Sequence, residues 1–162
     1  MLFWNVSKTL ATGKAVLVNQ HILDAPVETI VWSPFASDQF LTVGDNFAKL
    51  WKFHPTELLR SFSIKFTGSK PHIISAAFIY HEMKPAILLG SKDGTIYRVN
   101  ISTLQVEDVV SLKDNGEVNC IQSLSNDRIL IASSDGLVQI YQKVIAKDSL
   151  VFSYQLEHGM WH

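Results

Sequence analysis

Three carboxylates stand in the same local setting: Asp45 in TVGDNFAKLWKF, Asp93 in GSKDGTIYRVNI and Asp135 in ASSDGLVQIYQKV. Brought together, such groups could form an acid–base or metal-binding constellation. Each, however, follows a run of small residues and precedes a turn-forming residue, and an Asp in that place hydrogen-bonds backbone amides two residues on. The reading is that Asp45, Asp93 and Asp135 are structural, each bracing its own turn. Six histidines are scattered at positions 21, 54, 72, 81, 158 and 162. His158 and His162 have the i, i+4 spacing of a helical metal pair, yet Gly159 lies between them and no third ligand is near, which favours a solvated tail. Cys120 would need a positioned base to act as a nucleophile, and as a small apolar residue it is expected in the core. GSKDG lacks the helix start and the Gly-Lys-Ser/Thr ending of a phosphate loop. Lys65 and Lys70 flank Phe66 in KFTGSKPH, but two lysines are too few to track a single strand of RNA, and the segment reads as a solvated loop. Lys70 is kept as a possible contact for a protein partner. So is Phe47, because a large aromatic directly after the Asp45-Asn46 turn could anchor an interface if it does not fold back into the core.

What must position these residues is a repeated unit. Six residues beyond each turn Asp stands Trp51, Val99 or Tyr141, and Trp4 precedes them in the same role, so the spacings are 47, 48 and 42. A period of that size marks a modular architecture. Within one unit, VETIVWSP alternates in a way that suits a strand with both faces largely buried, and Ser33-Pro34 ends it. FLTV, the Gly44-Asp45-Asn46 turn and AKLWKF then form a hairpin. HIISAAFIY, PAILLG and TIYRVNI repeat the pattern, as do EVNCIQSL, RILIASS and LVQIYQKV. A fourth extended segment closes each unit: LLRSFSIKF, LQVEDVVSL and LVFSYQL. No 3.6-residue periodicity interrupts them, so the fold class is all-β.

The bulk properties agree with a folded chain. Of 162 residues, 47% are hydrophobic and 18% charged, with a formal net charge of −1. That balance gives no electrostatic case for nucleic acid or an anionic membrane as a partner. A single cysteine rules out an internal disulfide and fits a reducing, intracellular compartment. MLFWNV is too short for a signal-peptide core, and no run approaches the roughly 18 apolar residues of a membrane helix.

These residues resemble the WD-repeat β-propeller family, whose blades are four-stranded sheets of about 40 to 45 residues. WSP at Trp32 to Pro34 looks like the end of a blade's first strand, SKDGTIYRV like the turn between second and third, and KLWKF like the strand that ends in the family's Trp-Asp pair. Trp4-Asn5, Trp51-Lys52, Val99-Asn100 and Tyr141-Gln142 occupy that place here, so all four depart from the pattern and two keep the Trp. The family's Gly-His pair is replaced by Ile22-Leu23, Ser69-Lys70 and Lys113-Asp114. The resemblance implies about three to three and a half blades of four antiparallel strands: a part-blade at 1–23, blades at 24–66, 67–112 and 113–156, and a tail at 157–162. Opening at a third strand and ending on a fourth, the chain reads as part of a larger propeller, or as a short product whose open edges another chain covers.

The texture of QHILDAPVETIVWSP and FLTVG is similar to the divergent WD repeats of microtubule-associated and of cilia- and flagella-associated proteins. The expected function is a non-catalytic scaffold for protein–protein interactions in a larger assembly. The alternative is a propeller whose central channel binds a ligand or performs catalysis. No cofactor, nucleic acid or membrane is expected. The expected partners are other proteins, either the remainder of a propeller or a cytoskeletal complex, in the cytoplasm, the cytoskeleton or the axoneme of a cilium.

Overall fold

Runs rich in Val, Ile, Leu and aromatics, each closed by Gly, Asp, Asn or Ser, leave the chain little choice but short antiparallel strands. The computed structural model describes residues 2–4, 10–14, 17–20, 22–23, 25–53, 59–81, 84–112, 116–124, 128–144 and 149–156. Its strands, in chain order, are β1 (Leu2–Trp4), β2 (Leu17–Gln20), β3 (Thr29–Trp32), β4 (Gln39–Gly44), β5 (Phe47–Lys52), β6 (Arg60–Ser63), β7 (Ile73–His81), β8 (Lys84–Ser91), β9 (Thr95–Asn100), β10 (Val106–Ser111), β11 (Val118–Ser123), β12 (Arg128–Ser133), β13 (Val138–Val144) and β14 (Ser149–Leu156). Among the described residues only 10–12 are helical.

Three four-stranded antiparallel sheets follow one another along the chain, in the orders β3-β4-β5-β6, β7-β8-β9-β10 and β11-β12-β13-β14. A two-stranded sheet, β1-β2, precedes them. The segments 40–52, 86–100 and 129–142 are hairpins in all three full sheets. Their ladders superpose with one exception. Phe40 pairs with Trp51, while Ile87 pairs with Val99 and Ile129 with Tyr141, so the first hairpin is one residue shorter.

The sheets pack face to face through two apolar layers. Leu41, Val43 and Leu50 of the first full sheet share a core with Ala76, Phe78 and Ile87 of the second. On the other side of the second sheet, Ala77, Ile79 and Leu88 meet Ile121, Ile129 and Ile131 of the third. A third cluster lies on the far side of the first full sheet, where Phe40, Trp51 and Leu59 are buried with Leu23 and Phe53 against them. The first strand of each full sheet is the inner one, and these strands are stitched to their neighbours. Thr29 Oγ1 donates to Ile74 O at 2.7 Å, and Ser75 Oγ donates to Val118 O. Thr29 and Ser75 hold one register position, opposite Val43 and Gly90, and Cys120, opposite Ala132, holds it in the third sheet.

The expectation that 27–32 would be buried on both faces is corrected. Thr29 and Val31 turn inward, but Ile30 and Trp32 are more than half exposed. Cys120, expected in the core, is exposed as well. Periodicity shows which residues share a face of a strand; it does not show whether a neighbouring sheet lies over that face.

Candidate interaction surface

Asp93 and Asp135 belong to near-identical turns. Gly94 and Gly136 take φ of 81° and 86°, the left-handed conformation that a residue without Cβ adopts freely. Asp93 Oδ1 accepts the Ser91 hydroxyl and, at 3.1 Å, the Thr95 amide. Asp135 Oδ1 accepts the Ser133 hydroxyl at 2.5 Å and the Leu137 amide at 3.1 Å. The Ser91 hydroxyl is the main reason the Asp93 carboxyl lies below its ordinary range, with Thr95 adding to it against a desolvation effect. Ser133 first, then the Leu137 amide, do the same for Asp135.

A carboxyl depressed in the folded state contributes stability that is fully present above its unfolded value, near 3.9, and is lost as pH falls through the lower folded value. Replacing both with Asn is therefore expected to lower the melting temperature at neutral pH and to flatten its decline between about pH 5 and pH 2. Melting followed by circular dichroism over that range checks it, and parallel acid limbs in the two proteins would exclude the turns as the source.

Asp45 is built differently. The shorter first hairpin pairs Gly44 with Phe47 and leaves Asp45-Asn46 as its two-residue loop, with Asn46 at φ 62°. Its carboxylate faces His72 of the next sheet: Asp45 Oδ1 lies 3.7 Å from His72 Nδ1, and Glu28 Oε1 lies 3.3 Å from His72 Nε2. Asp45 and His72 also form an isolated antiparallel bridge. The residue thus ties the first turn to the second sheet. Phe47 is half-buried and lies over its own turn, where a Cβ on Gly44 would stand 2.5 Å from the ring and 2.4 Å from Pro26 O. Lys70 is exposed in the loop that follows Gly68, and Lys65 donates its amide to Leu104 O at 2.8 Å. His158 and His162 lie outside the described residues. Among the described residues no three His, Cys, Asp or Glu side chains gather as a metal site, and no helix is long and apolar enough to cross a membrane.

A concave feature lies where the inner strands converge. A groove of about 740 Å³ is lined by β3, β7 and β11, with Thr29, Ser75, Cys120 and Gln122 among its polar residues. Aromatic residues crowd one end of it. Phe35 meets Phe78 edge-on at 6.3 Å and Tyr80 at 4.4 Å, and Tyr80 remains 54% exposed. On the outer side of β3, Trp32 tilts against Phe40 at 5.1 Å. Sequence reasoning passed over Tyr80 and Phe35, because neither stands at a fixed offset from a turn Asp. The WSPF stretch was the available signal, since a strand ended by Ser33-Pro34 sends the next aromatic back across the strand's end.

Sheets in series, each with its first strand innermost and its last outermost, are the blades of a β-propeller. Residues 107–142, which run from the end of the second blade through most of the third, match the WD40 family, described as WD domain, G-beta repeat. Residues 107–142 thus resemble one WD40 repeat, and the fold of the described residues is that of β-propeller blades. Solved structures share the arrangement. The β-propeller domain of Myceliophteria thermophila Cps50 (Swd1) superposes with a TM-score of 0.69 at 16% identity, over 91% of this chain and 50% of that one. The WD40 β-propeller domain of Doa1 gives 0.60 at 17%, over 79% and 40%. A structure described as apo ctPRC2 in an autoinhibited state gives 0.62 at 12%, over 72% and 28%. The chain spans half or less of the length of each, and at these identities the likeness is one of fold. No curated protein matches the sequence at a significant level.

Proposed function

We propose that this chain is a non-catalytic scaffold that binds other proteins at the aromatic end of the inner-strand groove. The observation that carries the reading is Tyr80, which is 54% exposed while its ring rests on Phe35, across the boundary between two blades. A large aromatic held rigid at a groove mouth offers contact area with little entropy to lose, and aromatics of this kind dominate binding energies at protein interfaces. The setting we propose is a cytoskeletal or ciliary assembly in the cytoplasm, supported by the similarity of QHILDAPVETIVWSP and FLTVG to microtubule- and cilia-associated WD repeats.

Loss of a central aromatic anchor costs about 2 kcal/mol or more, a factor of roughly thirty in affinity. Tyr80→Ala is therefore expected to strip the proteins that co-purify with the tagged chain from cells while leaving its melting temperature within a degree or two, and Tyr80→Phe to retain most of them. An unchanged set of partners in Tyr80→Ala, recovered at unchanged affinity, would remove this surface from the function. A tagged chain distributed evenly through the cytosol of ciliated cells would remove the proposed setting.

A further inference from the structure

The outermost strand of the first full sheet, β6, differs from its counterparts in charge. Residues 46–81 carry Lys49, Lys52, Arg60, Lys65 and Lys70 against one carboxylate, Glu57, in a chain whose net charge is −1. Two of these cations are set directly against each other: Lys52 on β5 pairs with Arg60 on β6, and both are exposed. Like charges directly opposite each other in a sheet are destabilising. The fold does not require them. With Trp51, Val99 and Tyr141 as equivalent positions, the same place holds Asn100 beside Gln105 in the second full sheet and Gln142 paired with Val151 in the third. Two residues along β6 from Arg60, Phe62 pairs with Leu50 and is 41% exposed, with Lys52 Nζ 6.0 Å from the centre of its ring. Strand alternation puts Lys52, Arg60 and Phe62 on the face of Leu50, which shares a core with the second full sheet. That neighbour is in place, so their exposure is a property of the rim. β6 is also the last strand of its sheet, and among the described residues no strand pairs with its outer edge. The edge ends at Lys65, which bridges to Gln105.

We infer that β6 binds an acidic, extended segment of a partner protein, which lies along its outer edge as a fifth strand of an already complete sheet. Running antiparallel, as every other pair in that sheet does, the segment sets one residue against Phe62 and another, two positions on, against Arg60. The first is apolar. The second is a carboxylate, which the Arg60 guanidinium holds through two parallel N–H donors with the Lys52 ammonium at its side. The repulsion between Lys52 and Arg60 that weakens the free sheet is relieved by that carboxylate, so it favours the complex. A lone charge would suffice to keep the edge from pairing with another copy of the chain; the directly opposed pair goes beyond that need. Main-chain donors and acceptors along β6 select a polypeptide over other polyanions, because a nucleic acid or an anionic membrane would meet the charges and leave the edge unused. β6 is the fourth strand of its sheet and the groove is lined by the first, so this surface and the Tyr80 surface can fail independently.

The test titrates the ¹⁵N-labelled chain with a capped Thr-Val-Thr-Glu-Thr-Glu peptide up to millimolar concentration. Two controls accompany it: the same peptide with Lys at both Glu positions, and one N-methylated on alternate amides, which cannot pair with an edge. The acidic peptide is expected to shift the amide resonances of β6 and to slow their exchange roughly tenfold, since opening must then break new ladder bonds. Both controls should bind about tenfold more weakly or worse. Lys52→Glu combined with Arg60→Glu should invert the preference, so that the lysine peptide is taken up in place of the acidic one. Lys52→Gln combined with Arg60→Gln, which gives this place the neutrality it has in the other two sheets, should raise the melting temperature by about 1–3 °C while the acidic peptide loses its advantage. Tyr80→Ala should leave peptide binding unchanged. The inference is overturned if the shifts fall away from β6, if the glutamate variant keeps the original preference, or if the N-methylated peptide, an oligothymidine or phosphatidylserine vesicles perturb β6 as strongly as the acidic peptide does.

Discussion

Trp51→Ala is expected to destabilise the chain by roughly 3–5 kcal/mol, the range for deleting a fully buried large aromatic. Trp51 has no exposed surface, its ring stacks on Phe40 at 5.9 Å with an interplanar angle of 2°, and its Nε1–H donates to the buried Thr42 Oγ1 at 2.8 Å. The alanine variant loses the packing and leaves a cavity where the third apolar cluster now stands. Trp51→Phe keeps much of the packing but not the hydrogen bond, and should cost about 1–3 kcal/mol less than the alanine change. Urea denaturation of the three proteins measures the series. A Trp51→Ala protein with parental stability and lost partner binding would make Trp51 a ligand platform in place of a core residue.

The second large effect is expected at Gly90, which pairs with Ser75 on the inner strand of the middle blade. A Cβ there would lie 2.4 Å from Ser75 Oγ and 2.5 Å from Val118 Cγ1. Two sheets meet at that point, and although the Ser75 hydroxyl could rotate away, Val118 Cβ at 2.8 Å cannot withdraw without moving its strand. Overpacking of this kind costs about 1–3 kcal/mol, and more when a hydrogen bond is broken with it, as the bond from Ser75 Oγ to Val118 O would be. Gly90→Ala should therefore destabilise strongly even though the change is one methyl group. Gly90→Ala combined with Ser75→Ala should recover part of the loss, because the closest clash is with the hydroxyl. A double variant no more stable than Gly90→Ala would place the strain on Val118 alone.

The architecture was legible because several signals repeat in register: the turn Asp, the small residues before it, and an apolar residue six positions on. Those signals are local, and local chemistry decides turns and strand alternation. Asp93 and Asp135 show it directly, with Ser at −2 and Gly at +1 in both. Asp45 was given the same reading but behaves differently, because the first hairpin is one residue shorter, which brings Gly44 to the place where a capping hydroxyl would be needed and leaves the carboxylate facing His72. Ile30, Trp32 and Cys120 escaped for another reason. Their burial depends on whether a neighbouring sheet covers them, and no pattern within the strand encodes that. Tyr80 and Phe35 come together only across the boundary between two blades, 45 residues apart.

The inner-strand stitches have a chemical consequence. Thr29 and Ser75 reach the following sheet through an oxygen, but the third member of that series carries sulfur. A hydroxyl is inert to mild alkylating agents and a thiol is not. Cys120 faces solvent at the position where its counterparts face a neighbouring strand, so its rate of reaction with a maleimide registers whether anything has docked against the third sheet. The thiol thus reports whatever covers that face of the third sheet, readable by mass spectrometry in a mixture and without a label added beforehand.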